Sequence, residues 1–417
     1  MHTRNRNRIQ RNIEALRRNG GGIKEETFWE FRKKISSKRN ERKVAMKNKE
    51  GELQTEPEEI KKVFKDFYNS LFKVDIDESE EAKTKEEIGK ILAKGQEQEV
   101  LLISKDDIIK AKKTLKKNKA GDQEGWNNEM ILYGGSKMIE ALEILFNRKM
   151  KELRVPTEWE DMEVVSIYKN KGSRNEMKNR RGIFLTSILS KLLEKVISEK
   201  TTNNLKTSCF QNGGRKNRSA KDNWLAMMAV IDKNKYIGRE TYILFADAVK
   251  CFDKLWLDDC IKDMVKDGMR EREAALIHRM NEKANMNIVT PFGSAGKIEK
   301  KYLVKQGTIF GPQLCCSSTL TVNDIGSKTK TVVSPMLSIE SLVYVDDIEA
   351  VGSKKTIELA GENLRKMEEM KGFTFGIGNG KTQYIKINNK GRKSKKEEEE
   401  LQIILKNRIY SHKNTGI

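Results

Sequence analysis

Residues 241–256 read TYILFADAVKCFDKLW, and residues 341–351 read SLVYVDDIEAV. In the first stretch an apolar run typical of a buried strand leads directly into Asp247. In the second, two apolar runs flank Asp346 and Asp347, which predicts a hairpin with the acidic pair at its tip. Asp pairs are common in ordinary turns, but buried flanks around charge are costly unless something compensates the charge. We therefore interpret the three aspartates as candidate metal ligands.

Such a set matches what nucleotidyl transfer requires. Two divalent ions can activate a hydroxyl and neutralise a leaving pyrophosphate, and Mg²⁺ prefers carboxylate oxygens. The carboxylates must converge from different strands, beside a groove for nucleic acid. Because successive side chains on a strand face opposite ways, we expect Asp346 to point at the metals and Asp347 to lie beside them.

The charge balance favours a polyanionic partner. The 417 residues include 82 Lys and Arg against 61 Asp and Glu, a formal net charge of +21. A surplus of this size, spread along the chain, favours nucleic acid through counterion release, ahead of an anionic membrane surface.

Other features exclude several classes of protein. No run of about 18 or more uncharged apolar residues exists, so we expect no membrane span. The basic first thirty residues lack an apolar core, and no secretory signal is expected. The chain has five cysteines, no C-x-x-C pair and three histidines, so a zinc knuckle is not expected. We expect the cysteines to be reduced thiols in an intracellular compartment.

Periodicity predicts strands interleaved with helices, and hence an α+β fold. The predicted strands and hairpins are 162–168, 241–246, 286–305, 339–351 and 383–387. Helices are predicted at 4–18, at 186–199 and from Ser104 and Asp107 through Leu115. A further predicted helix is opened by a Thr55–Glu58 capping box and has an apolar face of Ile60, Val63, Phe64, Phe67, Tyr68, Leu71 and Phe72. The last predicted helix carries Ile357, Ala360, Leu364 and Met367 on its apolar face. Residues 74–97 are predicted as a polar linker, 118–135 as a structured loop, and the charge blocks after 388 as flexible.

Several blocks, in order, resemble the reverse transcriptases of non-LTR (LINE-type) retrotransposons. FADAVKCFDKLW resembles their motif A, and YVDD resembles the Y-x-D-D box of motif C. The other blocks that resemble the family are NKAGDQEGWNNEMI (118–131), VVSIYKNKGSRNEMKNRRGIFLTSILSKLLEKVI (164–197), QNGGRKNRSAKDNW (211–224), VKQGTIFGPQL (304–314, motif B) and GFTFGIGNGKTQYIKI (372–387, motif D). Together they cover roughly residues 100–390.

The resemblance implies a right-hand polymerase with fingers and a palm, the palm being a ferredoxin-like sheet with packed helices, plus an N-terminal helical extension. It divides the chain into an N-terminal helical connecting segment (1–98), fingers (99–235), a palm with motifs A, B, C and D (236–390), and a truncated thumb start or flexible tail (391–417). We expect the endonuclease and most of the thumb to be missing from this chain.

The implied activity is RNA-directed DNA synthesis. The partners would be an RNA template, a DNA primer and dNTPs, with two Mg²⁺ (or Mn²⁺) ions per active site and no membrane; the oligomeric state stays open. Asp247 and Asp346 would bridge the ions, with Asp347 as accessory ligand. The family setting implies an intracellular protein of the nucleus and of cytoplasmic ribonucleoprotein.

The resemblance also implies a nucleotide pocket. Phe252 would lie under the sugar of the incoming nucleotide and exclude a 2′-hydroxyl; the alternative is a core Phe. Arg181 would bind the triphosphate with its planar fork. Lys169 and Lys171 would approach the phosphates, and the alternative is a solvated basic loop. Gln306 and Gly307 would line the template and nucleotide pocket, and the alternative for Gly307 is a turn glycine. Lys381 would assist the leaving pyrophosphate, and the alternative is a surface lysine.

Some positions depart from the family pattern. Arg180 replaces an aromatic residue, Gly182 stands where Pro is common, Gly214 stands where Phe is usual, and Cys315–Cys316 follow motif B where an aromatic is expected. These departures keep a second hypothesis open, a catalytically decayed remnant that only binds nucleic acid. A group II intron-type maturase is a third, for which no maturase or homing-nuclease segment is found.

Overall fold

The structure is a computed structural model. It describes residues 44–72, 77–201, 205, 208–301, 304–305, 307–376 and 381–387, and the backbone of 402–405 and 408–411. The helix predicted at 4–18 and most of the charged segment after 388 lie outside the described residues. All five cysteines are free thiols, as predicted.

The described helices and strands follow one another in a mixed α/β order. The helices are α1 (Pro57–Leu71), α2 (Glu78–Glu97), α3 (Lys105–Lys113), α4 (Asn128–Tyr133), α5 (Ser136–Glu152), α6 (Ile188–Thr201), α7 (Ala220–Tyr236), α8 (Cys251–Lys254), α9 (Leu257–Lys266), α10 (Glu271–Asn281), α11 (Gly311–Leu320) and α12 (Lys354–Lys371). The strands are β1 (Met46–Lys47), β2 (Leu53–Gln54), β3 (Asp161–Tyr168), β4 (Arg180–Leu185), β5 (Thr241–Asp247), β6 (Lys283–Thr290), β7 (Gly293–Lys301), β8 (Thr331–Ser334), β9 (Leu337–Ile339), β10 (Leu342–Tyr344), β11 (Asp347–Gly352), β12 (Gln383–Ile387), β13 (Gln402–Leu405) and β14 (Arg408–Ser411).

One four-stranded sheet carries both acidic stretches. Its strand order is β10-β11-β5-β12, and every neighbouring pair is antiparallel. With helices between β5 and β10 and between β11 and β12, this is the order of a βαββαβ ferredoxin-like unit. The predicted strands 241–246 and 383–387 and the predicted hairpin at 339–351 are confirmed.

Helices cover both faces of this sheet. On one face Leu244 and Ala350 belong to the main core with Leu364 of α12. On the other, Ile243 packs with Val230 of α7. A strand buried on both faces needs apolar side chains at every position, which explains the unbroken run TYILFA.

A second four-stranded sheet has the order β4-β3-β6-β7. Strands β3 and β6 are parallel, and the outer pairs are antiparallel. Helix α1 packs on this sheet through Phe64 and Tyr68, which are buried with Met162 and Val164. The predicted apolar face of this helix, the strand at 162–168 and the hairpin at 286–305 are therefore confirmed.

The predicted linker at 74–97 is wrong, because residues 78–97 form α2. The Asp77 side chain caps the helix by accepting from Ser79 N, and acidic residues occupy the first turn, where the helix dipole favours them. Few apolar side chains mark its inner face, on which Ile88 and Gly95 are buried. A Cβ at Gly95 would lie 2.7 Å from the carbonyl oxygen of Glu271, so a glycine permits this close approach to α10.

Two local predictions at helix starts also change. Helix α1 begins at Pro57 with Glu56 at the N-cap and no side-chain cap, so the Thr55–Glu58 capping box is wrong; proline at the first position supplies the start instead. The predicted loop at 118–135 contains α4, capped by Asn127. The capping box of Ser104 and Asp107 is confirmed, with both reciprocal bonds present.

Arg272 joins three helices in the interior. Its side chain is buried and donates to backbone carbonyls at the C-terminal ends of two helices, namely Gly95 and Gln96 of α2, Gln98 at the C-cap of α2, and Met150 and Lys151 of α5. Helix ends leave such carbonyls without intrahelical donors and carry partial negative charge. One guanidinium thus fixes α2 and α5 to α10.

In the part of the chain that the structure describes, no helix is long and apolar enough to cross a membrane.

We predict that Arg272→Met lowers the free energy of unfolding by at least about 3 kcal/mol, because each buried carbonyl left without a donor costs about 1–3 kcal/mol. Urea denaturation followed by circular dichroism measures this. The control is Arg365→Met, which removes an exposed ion pair with Glu369 on α12 and should change stability by no more than about 0.5 kcal/mol. Equal losses in the two variants would contradict the role given to Arg272.

Candidate active site

Strand pairing brings the three aspartates together. Asp347 is the register partner of Asp247 on the neighbouring strand, and Asp346 directly precedes it in the β10–β11 turn. Asp247 and Asp346 are half-buried, and Asp347 is exposed. Residues about a hundred positions apart in the chain thus form one acidic corner at the end of the sheet.

The electrostatics of this corner reflect its crowding. Burial raises the pKa of Asp346, and the charge of Asp247 raises it further, whereas Arg181 acts in the opposite direction. The residue Asp347 is exposed as a whole, but partial burial of its carboxyl group raises its pKa, and both neighbouring aspartates raise it further. The three carboxylates therefore lie within electrostatic reach of one another, and a cation between them would relieve their repulsion.

Lys381 neutralises part of this corner. Its Nζ lies 2.7 Å from Oδ2 of Asp247. The backbone supports the same contact, since Gly376 N donates to the carbonyl oxygen of Asp247 at 2.9 Å. The sequence predicted Lys381 in the pocket, and the structure brings it to a candidate metal ligand.

The fit to divalent ions is partial. Among the described residues, no three carboxylate, imidazole or thiol side chains converge closely enough to hold a metal ion as they stand. Mg²⁺ usually takes only one or two protein carboxylates and completes its shell with phosphates and water. The donor chemistry of Asp247 and Asp346 suits Mg²⁺ or Mn²⁺, provided that Lys381 releases Oδ2 of Asp247.

Basic side chains line the neighbouring surface. Their positions follow from Asp253 in the short helix α8, a carboxyl group whose pKa burial raises to about 6. Lys250, Lys169 and Arg181 each act to lower that pKa, which places all three within reach of one buried carboxylate. Since Arg181 also acts on Asp346, this predicted phosphate ligand lies within electrostatic reach of the acidic corner, and Lys169 acts with it on Asp253.

Lys250 was missed by the sequence predictions. It adopts a left-handed conformation with φ of 53°, and its Nζ lies 4.6 Å from the ring centroid of Phe67 in α1. Burial lowers its pKa. Its position three residues after Asp247 was the available signal. Lys171 lies on the exposed turn after β3, and its place in the pocket stays a prediction.

The other predicted pocket residues have mixed outcomes. Phe252 is half-buried and packs against the main core, so the core alternative holds at least in part. Gly307 is exposed with φ of 94°, and a Cβ there would lie 3.3 Å from the carbonyl oxygen of Phe184. A glycine is therefore required by the turn itself. Gln306 lies outside the described residues.

A buried charge pair supports the segment around Gly307. Oε2 of Glu194, in the apolar helix α6, accepts from Ile309 N at 2.6 Å just before α11 begins. Lys305 is buried and donates to the carbonyl oxygen of Met280 at 2.7 Å. Burial raises the pKa of Glu194 to about 7 and lowers that of Lys305 to about 8. The sequence predictions missed both, although a charge inside the apolar run ILSKLLEKVI was a visible signal.

Residues that depart from the family pattern fit their neighbours. The guanidinium of Arg180 lies 5.6 Å from the ring centroid of Phe64 in α1 and donates to Ser166 Oγ at 3.1 Å. A Cβ at Gly182 would lie 3.0 Å from the ring of Tyr68, so α1 occupies the space that a larger residue needs. The first two departures thus accompany the packing of α1 on β4.

Gly214 is a separate case. It has φ of 65°, and a Cβ there would lie 3.3 Å from Sγ of Cys316. Two of the departing positions, Gly214 and Cys316, are therefore in contact with each other. A side chain at position 214 would therefore crowd Cys316.

Fold and site together define a class, a basic α/β protein with carboxylates at a sheet end and cations around them. The sequence model of the family described as "Reverse transcriptase (RNA-dependent DNA polymerase)" matches residues 167–398, just over half of the chain. The chain belongs to this reverse transcriptase family. The match includes both acidic stretches and the segment from Lys305 to α11.

We predict a pH-dependent difference between wild type and Glu194→Gln. Because the pKa of Glu194 is raised from 4.5 to about 7, the stability tied to its neutral form is present below pH 4.5 and is lost as the pH rises through 7. Between pH 4.5 and 8, the free energy of unfolding of wild type should fall by about 3 kcal/mol more than that of the variant. Urea denaturation at several pH values measures the difference, and parallel curves would contradict the assignment.

Proposed function

We propose that this chain is the RNA-directed DNA polymerase of a non-LTR retrotransposon, extending a DNA primer on an RNA template. The observation that carries the proposal is the register of Asp247 with Asp347, with Asp346 in the adjoining turn and Arg181 nearby. Membership in the reverse transcriptase family supports the polymerase, and the order of the sequence blocks supports the non-LTR type. The net charge of +21 suits a template and primer.

The proposed cofactor is a pair of Mg²⁺ or Mn²⁺ ions. Bound, they activate the primer 3′-hydroxyl and neutralise the leaving pyrophosphate. Asp247 and Asp346 would hold them, and Asp347 would add negative charge beside them. Lys381, whose Nζ lies 2.7 Å from Oδ2 of Asp247, would supply positive charge to the departing phosphates.

The incoming nucleotide occupies the surface next to this corner. Arg181 binds its phosphates through the planar guanidinium fork, and Lys169 adds charge beside it. Phe252 borders the sugar and excludes a 2′-hydroxyl, with its inner edge anchored in the core. Gly307 also lines this pocket.

The second candidate function is nucleic-acid binding without catalysis. The observation in its favour is the ion pair of Asp247 with Lys381, together with the lack of three converging metal ligands among the described residues. Against it, the departures at Arg180, Gly182 and Gly214 pack well with their neighbours.

A primer-extension assay on poly(rA)/oligo(dT) with Mg²⁺ or Mn²⁺ separates the two functions. We predict extension by wild type and a loss of at least about 100-fold in Asp247→Ala and in Asp346→Ala, because ligand loss removes several kcal/mol of transition-state stabilisation. The control is Asp232→Ala, which removes an exposed carboxylate of α7 and should retain full activity.

Binding of the same primer–template by all variants is measured in parallel by fluorescence anisotropy. A silent wild type that still binds would establish the non-catalytic function. Extension by Asp247→Ala at the wild-type rate would remove the proposed metal site.

A further inference from the structure

The turn that carries Asp346 has a strained backbone. Val345 has φ of 60°, a left-handed conformation that a β-branched residue rarely adopts. Such a conformation persists only where surrounding contacts over-determine it. Asp346 follows directly in the chain, so whatever holds Val345 also sets the direction of the Asp346 carboxylate.

Two buried side chains hold the backbone of Val345. Oε1 of Gln211 accepts from Val345 N at 3.1 Å. Thr319 Oγ1, in α11, donates to the carbonyl oxygen of Val345 at 2.6 Å. Both backbone polar groups of the strained residue, its N–H and its carbonyl, are therefore engaged by residues distant in the chain.

The two holders are also joined to each other. Nε2 of Gln211 lies 3.3 Å from Thr319 Oγ1 and donates to it. Gln211 and Thr319 are both fully buried. The second bond to Gln211 Oε1 comes from Gly213 N at 2.8 Å. Every polar atom of the amide is thus used inside the protein.

Gly213 and the adjacent backbone complete the arrangement. A Cβ at Gly213 would lie 2.2 Å from Val345 N, so only glycine allows this approach. Asn212 N donates to the carbonyl oxygen of Val343 at 2.9 Å, which ties the segment to β10. The amide of Gln211 is therefore fixed against the turn.

We propose that Gln211 and Thr319 are positioning residues that aim the Asp346 carboxylate at the divalent ions. Neither touches substrate or metal; they act through Val345. The inference rests on the proposed function for its catalytic consequence, but its structural part, the placement of a cation ligand, is independent of turnover.

The test compares Gln211→Met, Thr319→Val and Thr319→Ser with wild type. The first two remove the polar atoms at nearly constant volume, and the third keeps the hydroxyl. The first readout is Mn²⁺ affinity of the whole chain, from the free-ion signal in electron paramagnetic resonance, with Asp346→Ala as reference. The second is the Mg²⁺ concentration for half-maximal primer extension.

We expect Gln211→Met and Thr319→Val to weaken Mn²⁺ binding about fivefold or more and to raise the Mg²⁺ requirement by a similar factor. Thr319→Ser should stay within about twofold of wild type, because its hydroxyl reaches the same carbonyl. Primer–template affinity should not change in any variant, since the holders are buried. These fold-changes follow from loss of one or two internal hydrogen bonds that fix a ligand.

Asn147→Leu is the matched control. Asn147 holds the backbone of Ile103 in the same two-sided way, with Ile103 N donating to Oδ1 at 2.8 Å and Nδ2 donating to the Ile103 carbonyl oxygen at 2.7 Å. It lies in α5, away from the acidic corner. Its loss should lower thermal stability without changing the Mn²⁺ affinity or the Mg²⁺ requirement.

The outcomes separate this inference from the proposed function. Wild type that binds Mn²⁺ through Asp346 but never extends a primer would overturn the function and leave the positioning role intact. Unchanged Mn²⁺ affinity in Gln211→Met and Thr319→Val, equal defects in Thr319→Ser and Thr319→Val, or a wild type that binds no Mn²⁺ would each overturn the positioning role.

Discussion

The pairing register between β5 and β11 is the constraint on which the site depends. It sets Asp347 opposite Asp247 and, in the same ladder, Ala350 opposite Leu244. A slip by one residue would exchange the two faces of β11 and move Glu349 towards the apolar core. Helices on both faces of the sheet resist that slip, because each face already has complementary side chains. The core thereby fixes the position of charges that the core itself could not accommodate.

Counter-charge is the second requirement of such a corner. Three carboxylates at the end of a buried sheet repel one another, and the chain supplies cations from separate elements. Lys381 approaches from the segment before β12, and Arg181 approaches from β4. Lys250, in the loop after β5, acts on the carboxylate of Asp253 and lies against the ring of Phe67 in α1. Helix α1 thus packs beside the site, although it carries none of the predicted ligands.

The sequence predicted the sheet well and the supporting contacts poorly. The strand β5 and the hairpin around Asp346 have unbroken apolar flanks, and this local pattern predicts strands without knowledge of the fold. Helix α2 was taken for a linker because only a few small or apolar residues, such as Ile88 and Gly95, face its partners. Helix α2 packs against α10, which is distant in the sequence, and a local sequence pattern does not predict that contact.

The same limit applies within the site. Gln211 and Glu194 were quoted in the sequence blocks, but their roles depend on hydrogen bonds to Val345 and Ile309, more than a hundred residues away. Positions that differ from the family pattern are likewise understood only from tertiary contacts. Gly182, for example, faces Tyr68 of α1. Local chemistry identified the candidate ligands, and tertiary contacts explain why they stay in place.

We propose that strand register assembles Asp247, Asp346 and Asp347 into one divalent-cation site. Fe²⁺ bound in place of Mg²⁺ reduces added hydrogen peroxide to hydroxide and a hydroxyl radical, and is itself oxidised to Fe³⁺. The radical cuts the nearest backbone, so mass spectrometry of the fragments locates the ion directly. We expect cuts at and beside Asp247 and in the turn from Val345 to Asp347, both suppressed by excess Mg²⁺. Cuts elsewhere, or cuts at only one of the two segments, would contradict it.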